Sequence, residues 1–245
     1  MIRRVFLSAE WRNLAMLNYA VDADLLRSKV PAGTELDSFD GQNFISLVGF
    51  QFLRTKVLGV GVPFHRNFDE VNLRFYVRRH ASGQVRRGVV FIREIVPRRA
   101  IAHIARVVYN ENYVRLPMAH RIEKGTAEYR WQVGSKWNRL FVETSGAGVV
   151  AADGSCDQFI TEHYWGYAKQ RDRGTVEYEV EHPPWRVWTA GKAGFEGDMT
   201  SLYGAEFASV LQRPPDSALL AEGSPVAVYA GRRIGVSSKS ESAPD

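Results

Sequence analysis

Residues 43–58 read NFISLVGFQFLRTKVL, where Phe44, Ser46, Val48, Phe50 and Phe52 alternate with Ile45, Leu47 and Gly49. Both sides of the alternation are largely apolar, which predicts a strand covered on both faces. From Glu70 the pattern sharpens. Val71, Leu73, Phe75 and Val77 form an apolar side, and Glu70, Asn72, Arg74, Tyr76 and Arg78 form a polar one. That is the period of a strand with two different faces. RHASGQVRR then turns the chain, and GVVFIREIV predicts its hairpin partner. Arg93 and Glu94 are neighbours in that partner, and neighbours on a strand point to opposite faces. At least one of the two charges is therefore aimed at an interior.

Helical signals are few. Asp22 is a good N-cap for Leu25, Leu26 and Val30, and Pro31 with Gly33 ends that stretch. Pro97 opens a second helix through Ile101, Ile104, Ala105 and Val108. A third is predicted near 200–210. Tyr113 to Met118 reads as a loop or short strand. Strands are predicted at 126–133, 136–144, 159–169, 175–182 and 185–189, and a last one at SPVAVYAGR. Many antiparallel strands with three helices imply a barrel or sandwich in one domain, residues 1–234. The Ser-rich, charged tail from Gly235 is expected to be disordered.

Composition narrows the class. Apolar residues make up 45% of 245, enough for a sizeable core. A single cysteine, Cys156, excludes an intrachain disulfide, and its neighbour Asp157 disfavours a reactive thiolate. No apolar run has the length of a signal peptide or of the ~20-residue membrane span, so a soluble cytoplasmic protein is the expectation. Net charge is +5, but residues 51–121 hold fourteen Lys or Arg against four Asp or Glu. That excess is either solvated arginine at strand edges or an anion site built from guanidinium forks.

Candidate chemistry gathers at VPFHRNFDEVNLRFYVRR. His65, Arg66, Asn67, Asp69 and Glu70 precede a strand whose polar side continues with Asn72 and Arg74. This is either a pocket in a barrel mouth or a polar loop feeding a solvated strand. FITEHYWGYAKQRD places His163, Trp165 and Tyr167 on one side and Glu162 and Tyr164 on the other, which suits core packing or a pocket wall. The six histidines show no metal-ligand spacing, and no phosphate-loop, dinucleotide or nucleophile-elbow motif is present. No metal and no cofactor is expected. The basic segment with Phe75, Tyr76 and Tyr109 is the only feature that points toward nucleic acid.

Long runs of the chain, including FLSAEWRNLAMLNYAVDADLL, VPAGTELDSFDGQNFISLVGF, PFHRNFDEVNLRFYVRR and ITEHYWGYAKQRDRGTVEYEVEHPPWRVW, resemble the YqjF-like or DUF2071 family of uncharacterised bacterial proteins. That family is grouped by structure with acetoacetate decarboxylases. The resemblance implies a mainly β, antiparallel barrel with flanking helices and an interior pocket. VPAGTEL is similar to the decarboxylases' P-x-G-L-E. Glu70 in NFDEV falls where their pocket glutamate stands, and IREIV is similar to their Arg-Glu strand. Their next segment carries two adjacent lysines, one of which forms a Schiff base. Here that segment reads YNENYVRLPM, and no lysine occurs between Lys56 and Lys124. An arginine cannot form the imine, which leaves Lys136 or Lys169 as distant substitutes.

The resulting expectation is an interior site for a small carboxylate or carbonyl compound, with Glu70 as acid or base. Arg93 or Arg115 supplies positive charge, and Tyr109, Tyr113, Tyr164 and Trp165 form walls. His65, Arg66, Asn72 and Glu94 complete the ligand-binding set. Lyase- or isomerase-like chemistry without a covalent lysine is one reading. A non-catalytic binder or sensor is the alternative, and a nucleic-acid-associated protein is the third.

Overall fold

The structure is a computed structural model that describes residues 4–61, 66–97 and 112–234. The predicted helix after Pro97 and the tail from Gly235 lie outside the described residues. Strands dominate. The first half contains β1 (Val5–Val21), β2 (Glu35–Leu36), β3 (Asn43–Val57), β4 (Val60–Gly61), β5 (Phe68–Ala81), β6 (Gln84–Val96) and β7 (Tyr113–Arg115). Next come β8 (Met118–Glu123), β9 (Thr126–Val133), β10 (Lys136–Thr144) and β11 (Val149–Val150). Finally there are β12 (Trp165–Lys169), β13 (Thr175–Glu181), β14 (Arg186–Glu196), β15 (Ser217–Tyr229) and β16 (Arg232–Ile234). The described helices are short: α1 (Ala23–Arg27), α2 (Cys156–Thr161), α3 (Thr200–Tyr203) and α4 (Ala205–Leu211).

The strands β5, β6, β12, β13, β15, β1 and β3 pair in that order, and β3 pairs back to β5, so the hydrogen-bonded ladder closes on itself. All these pairs are antiparallel except β6–β12. The β5–β6 turn uses Ser82 and Gly83, both at positive φ (51° and 73°), the conformation of a two-residue hairpin turn. From β15 the sheet continues through β14, β10, β9 and β8. This second layer lies against the outside of the ring. Gly49 on β3 permits the contact: a Cβ there would stand 2.6 Å from the Tyr129 ring and 2.8 Å from Leu140.

Alternation therefore feeds two cores. Leu73, Phe75, Ile45 and Leu47 face outward and pack with Tyr129, Trp131, Tyr203 and Phe207. Val48, Phe50, Phe52, Phe68 and Tyr76 face inward. One end of the ring is filled by α2, whose Phe159 packs on Phe44, Tyr76 and His163 at ring distances of 6.2, 5.1 and 5.3 Å. Beneath it runs a buried polar chain. Tyr76 donates to Ser46 Oγ (2.6 Å), and Ser46 donates to Asn18 Oδ1 (2.7 Å).

Three expectations change. The strand predicted from Phe159 begins only at Trp165, because residues 156–161 are helical. Ser155 is the N-cap and accepts from Gln158 N (3.2 Å), an S-x-x-Q start signal that outweighs the aromatic alternation. The helix predicted at 200–210 is two helices, broken at Gly204 with φ of 86°. β1, the 17-residue strand at the centre of the sheet, was not among the predicted elements. Its inward and outward positions are both apolar, and an extra residue at Asn13 (φ 56°) interrupts the period.

The Gly49→Ala variant is expected to lose about 1–3 kcal/mol of stability, because the two layers must part to admit a methyl group. Urea unfolding measures this, and an unchanged midpoint would show that the layers are not in tight contact at this point.

Candidate functional site

β5 sets the site. Its inward positions run Phe68, Glu70, Asn72, Arg74, Tyr76, and the register with β3 places the first four beside Phe52, Phe50, Val48 and Ser46 in turn. On the other side, β6 sets Glu94 beside Asn72 and Phe91 beside Arg74. The ring is thus stacked in layers that pass from apolar to polar toward α2. Within it lies a cavity of about 120 Å³, lined by the inward β5 side chains Phe68, Glu70, Asn72 and Arg74, by Val48, Phe50, Phe52, Phe91 and Glu94 beside them, and by Trp11, Tyr113, Trp165, His163, His182 and Trp185.

Glu70 is 2% exposed. It accepts from Asn72 Nδ2 (2.9 Å) and from the Tyr113 hydroxyl (3.3 Å). Burial raises its pKa to about 7, against the downward pull of those two donors and of the Arg74 charge. It can therefore hold or release a proton near neutrality.

Arg74 is the one guanidinium or ammonium among the described lining residues. Its Nη2 donates to Ile160 O at the end of α2 (3.1 Å), and its guanidinium lies 5.7 Å from the Tyr76 ring centre. It makes no salt bridge among the described residues, and its buried Nε has no hydrogen-bond partner. A cation so placed is a ready partner for a carboxylate brought by a ligand.

The two histidines are uncharged wall elements. His163 is buried, and desolvation lowers its pKa to about 4. Its Nε2 is 3.8 Å from Asp37 Oδ2. His182 stacks on Trp185 with ring centres 4.2 Å apart, and its Nδ1 donates to Pro183 O (2.9 Å). Burial lowers its pKa as well.

Of the residues singled out in the sequence, Glu70, Asn72, Glu94, Tyr113 and Trp165 line the cavity. Arg93 does not. It is opposite Leu73 on the outward side, and its charge acts on Tyr203 in the outer core. Parity with Glu94 dictates this. Arg115 is exposed, with Nε donating to Pro97 O (3.4 Å), and Arg66 is exposed beside Gly61. Tyr164 stands behind His182 (4.9 Å) and donates to Glu162 Oε2 (3.4 Å). His65 and Tyr109 lie outside the described residues. Neither Lys136 nor Lys169 reaches the cavity, and Lys169 Nζ donates to Ser28 O (3.2 Å). Positive charge therefore comes from Arg74, not Arg93 or Arg115. The signal was available, since Arg74 is four residues from Glu70 on one strand face. His163 stood in a stretch that suited core packing or a pocket wall, whereas no local signal marked His182 or Trp11, which only ring closure brings to it.

The basic hairpin is largely neutralised within the chain. Arg78 pairs with Glu35 (2.7 Å), Arg79 and Arg86 with Glu177 (2.9 and 2.8 Å), and Arg87 with Asp37 (2.9 Å). These four arginines therefore do not form a free basic stripe, while Arg98, Arg99 and Arg106 of the basic segment lie outside the described residues. Among the described residues no three His, Cys, Asp or Glu side chains group so as to hold a metal ion, and no helix is long and apolar enough to cross a membrane.

The overall fold is shared with solved structures. Acetoacetate decarboxylase of Legionella pneumophila matches with a TM-score of 0.68 over 94% of this chain and 87% of its own, at 11% identity. The enduracididine biosynthesis enzyme MppR, in complex with pyruvate, matches with a TM-score of 0.65 over 97% and 93%, at 14% identity. The protein is thus of the mainly β, acetoacetate decarboxylase-like fold class. The chain belongs to the DUF2071 family of uncharacterised conserved proteins, whose pattern it matches over residues 8–225. Uncharacterised protein YqjF of Bacillus subtilis (strain 168) is 28% identical over 185 residues, 74% of each chain.

Glu70 gives a stability signature. Its carboxyl pKa is about 7 in the fold against an ordinary value of 4.5. The stabilisation this provides is complete below about 4.5 and is lost as pH rises through 7. Glu70→Gln does not titrate. From pH 4 to pH 8 its stability is therefore expected to gain on the wild type by up to about 3 kcal/mol. Urea unfolding at both pH values measures the difference, and a constant gap would mean the carboxyl titrates in the fold as it does in the unfolded chain.

Proposed function

We propose that this protein binds a small keto acid or related carboxylate inside the strand ring and acts on it by lyase- or isomerase-like proton chemistry without an imine. The observation that carries the reading is one cavity holding a carboxyl poised near neutral pH and a guanidinium that has no carboxylate partner among the described residues. Arg74 receives the ligand's carboxylate as a two-pronged donor. Glu70, further along the same strand face, moves a proton at the carbon beside the ligand's carbonyl, for which a pKa near working pH is the favourable value. The negative charge that builds on the carbonyl oxygen lies in the field of Arg74, inside walls that exclude most water. The pyruvate complex of MppR supports a keto acid as the ligand class. The lysine-free lining speaks against covalent catalysis.

The same lysine-free lining favours one alternative, a binding protein that keeps the cavity without the chemistry. Two measurements decide. Millimolar pyruvate or acetoacetate is expected to raise the melting temperature, with the shift lost in Arg74→Ala and no covalent adduct formed on borohydride treatment. In deuterium oxide, the wild type is expected to exchange the methyl protons of pyruvate and Glu70→Gln is not. Binding without exchange would establish the alternative, and a borohydride-trapped adduct would overturn the imine-free mechanism.

A further inference from the structure

The layering of the cavity carries information about the ligand beyond its acid group. Arg74 is anchored low in the ring, toward α2, by its bond to Ile160 O. Ile160, Phe159 and Tyr76, which close that end, are 0%, 3% and 1% exposed. Six residues along β5, about 20 Å by strand rise, Phe68 stacks on Phe52 with ring centres 4.7 Å apart. Trp11 meets Phe52 edge-on at 5.8 Å. Its indole Nε1 is buried with no hydrogen-bond partner. Beyond this aromatic belt the lining reaches Leu7 and Val57, which face each other on β1 and β3 and are half-buried. The cavity is therefore closed at its charged end, and its lining becomes apolar and more exposed at the other.

A three-carbon acid is roughly 4 Å long from carboxylate oxygen to methyl carbon, as three bonds of about 1.3 Å rise imply. Seated on Arg74, it would leave the belt untouched. The cavity volume, about 120 Å³, approaches the ~150 Å³ of an engineered apolar cavity that takes up six-carbon benzene. Resting on the reading above, we propose that the ligand is a 2-oxo acid with an apolar tail of three or more carbons. It is bound head-first, with its carboxylate on Arg74 and its tail directed toward the belt of Trp11, Phe52 and Phe68. The keto group then falls in the layer of Glu70 and Asn72, where the proton chemistry is placed. Pyruvate is a truncated ligand in this scheme: it satisfies the head and forgoes the tail.

Calorimetric titration of the full chain with pyruvate and with 2-oxohexanoate tests this. Each buried carbon is worth about fourfold in affinity, so the three extra carbons are expected to tighten binding on the order of 50-fold. Phe68→Leu is expected to weaken 2-oxohexanoate and leave pyruvate unchanged, whereas Arg74→Ala weakens both. Pyruvate binding as tightly as 2-oxohexanoate, or Phe68→Leu affecting both alike, would overturn the tail assignment and leave the keto-acid reading standing. Failure of the wild type to bind either acid would remove the keto-acid reading itself. The wild-type comparison needs no variant, so the result does not depend on Phe68→Leu folding.

Discussion

A carboxyl group withdrawn from water stays charged only where cations or strong donors replace its hydration. Glu70 has an amide and a phenol for partners, and the one cation in its cavity is tied down elsewhere by the carbonyl of Ile160. Closure of the ring is what removes the water. Without the short β13–β15 pairing, Val180 to Val228 and Glu181 to Ala227, the inward face of β5 would border an open sheet. The poise of the acid is therefore a property of the ring and not of the residue.

Glu177 makes the comparison direct. It is as buried as Glu70 and lies on the same sheet, yet its pKa is lowered. Arg79, Arg86 and Arg232 approach it at 2.9, 2.8 and 2.6 Å, and their combined charge exceeds the cost of burial. Such a cluster joins β5, β6, β13 and β16 and is structural. Glu70 lacks that company and faces a cavity, the environment in which a shifted acid has something to act on.

The fold neighbours are enzymes, but at 11–14% identity they inform the architecture only. What supports chemistry is this chain's own lining. A cavity whose described lining has no lysine but two carboxyl groups, Glu70 and Glu94, with one guanidinium and two neutral imidazoles, suits the proposed proton transfer better than covalent capture.

The sequence by itself determined the strand periodicity, the β5–β6 hairpin, the family, the candidacy of Glu70 and the missing lysine. These are local patterns, or long runs read directly from the chain. The parity of β5 also sets Arg74 on the same strand face as Glu70. Only the tertiary structure decided which face of β5 is inside. Strand alternation separates two faces but does not say which one a closed ring encloses, and here the polar face is enclosed. It also decided that α2 closes one end and that His163, His182 and Trp11 meet Glu70 across the cavity. These side chains come from distant segments, and their proximity arises from pairings as remote in sequence as β1 with β15, which no local pattern encodes.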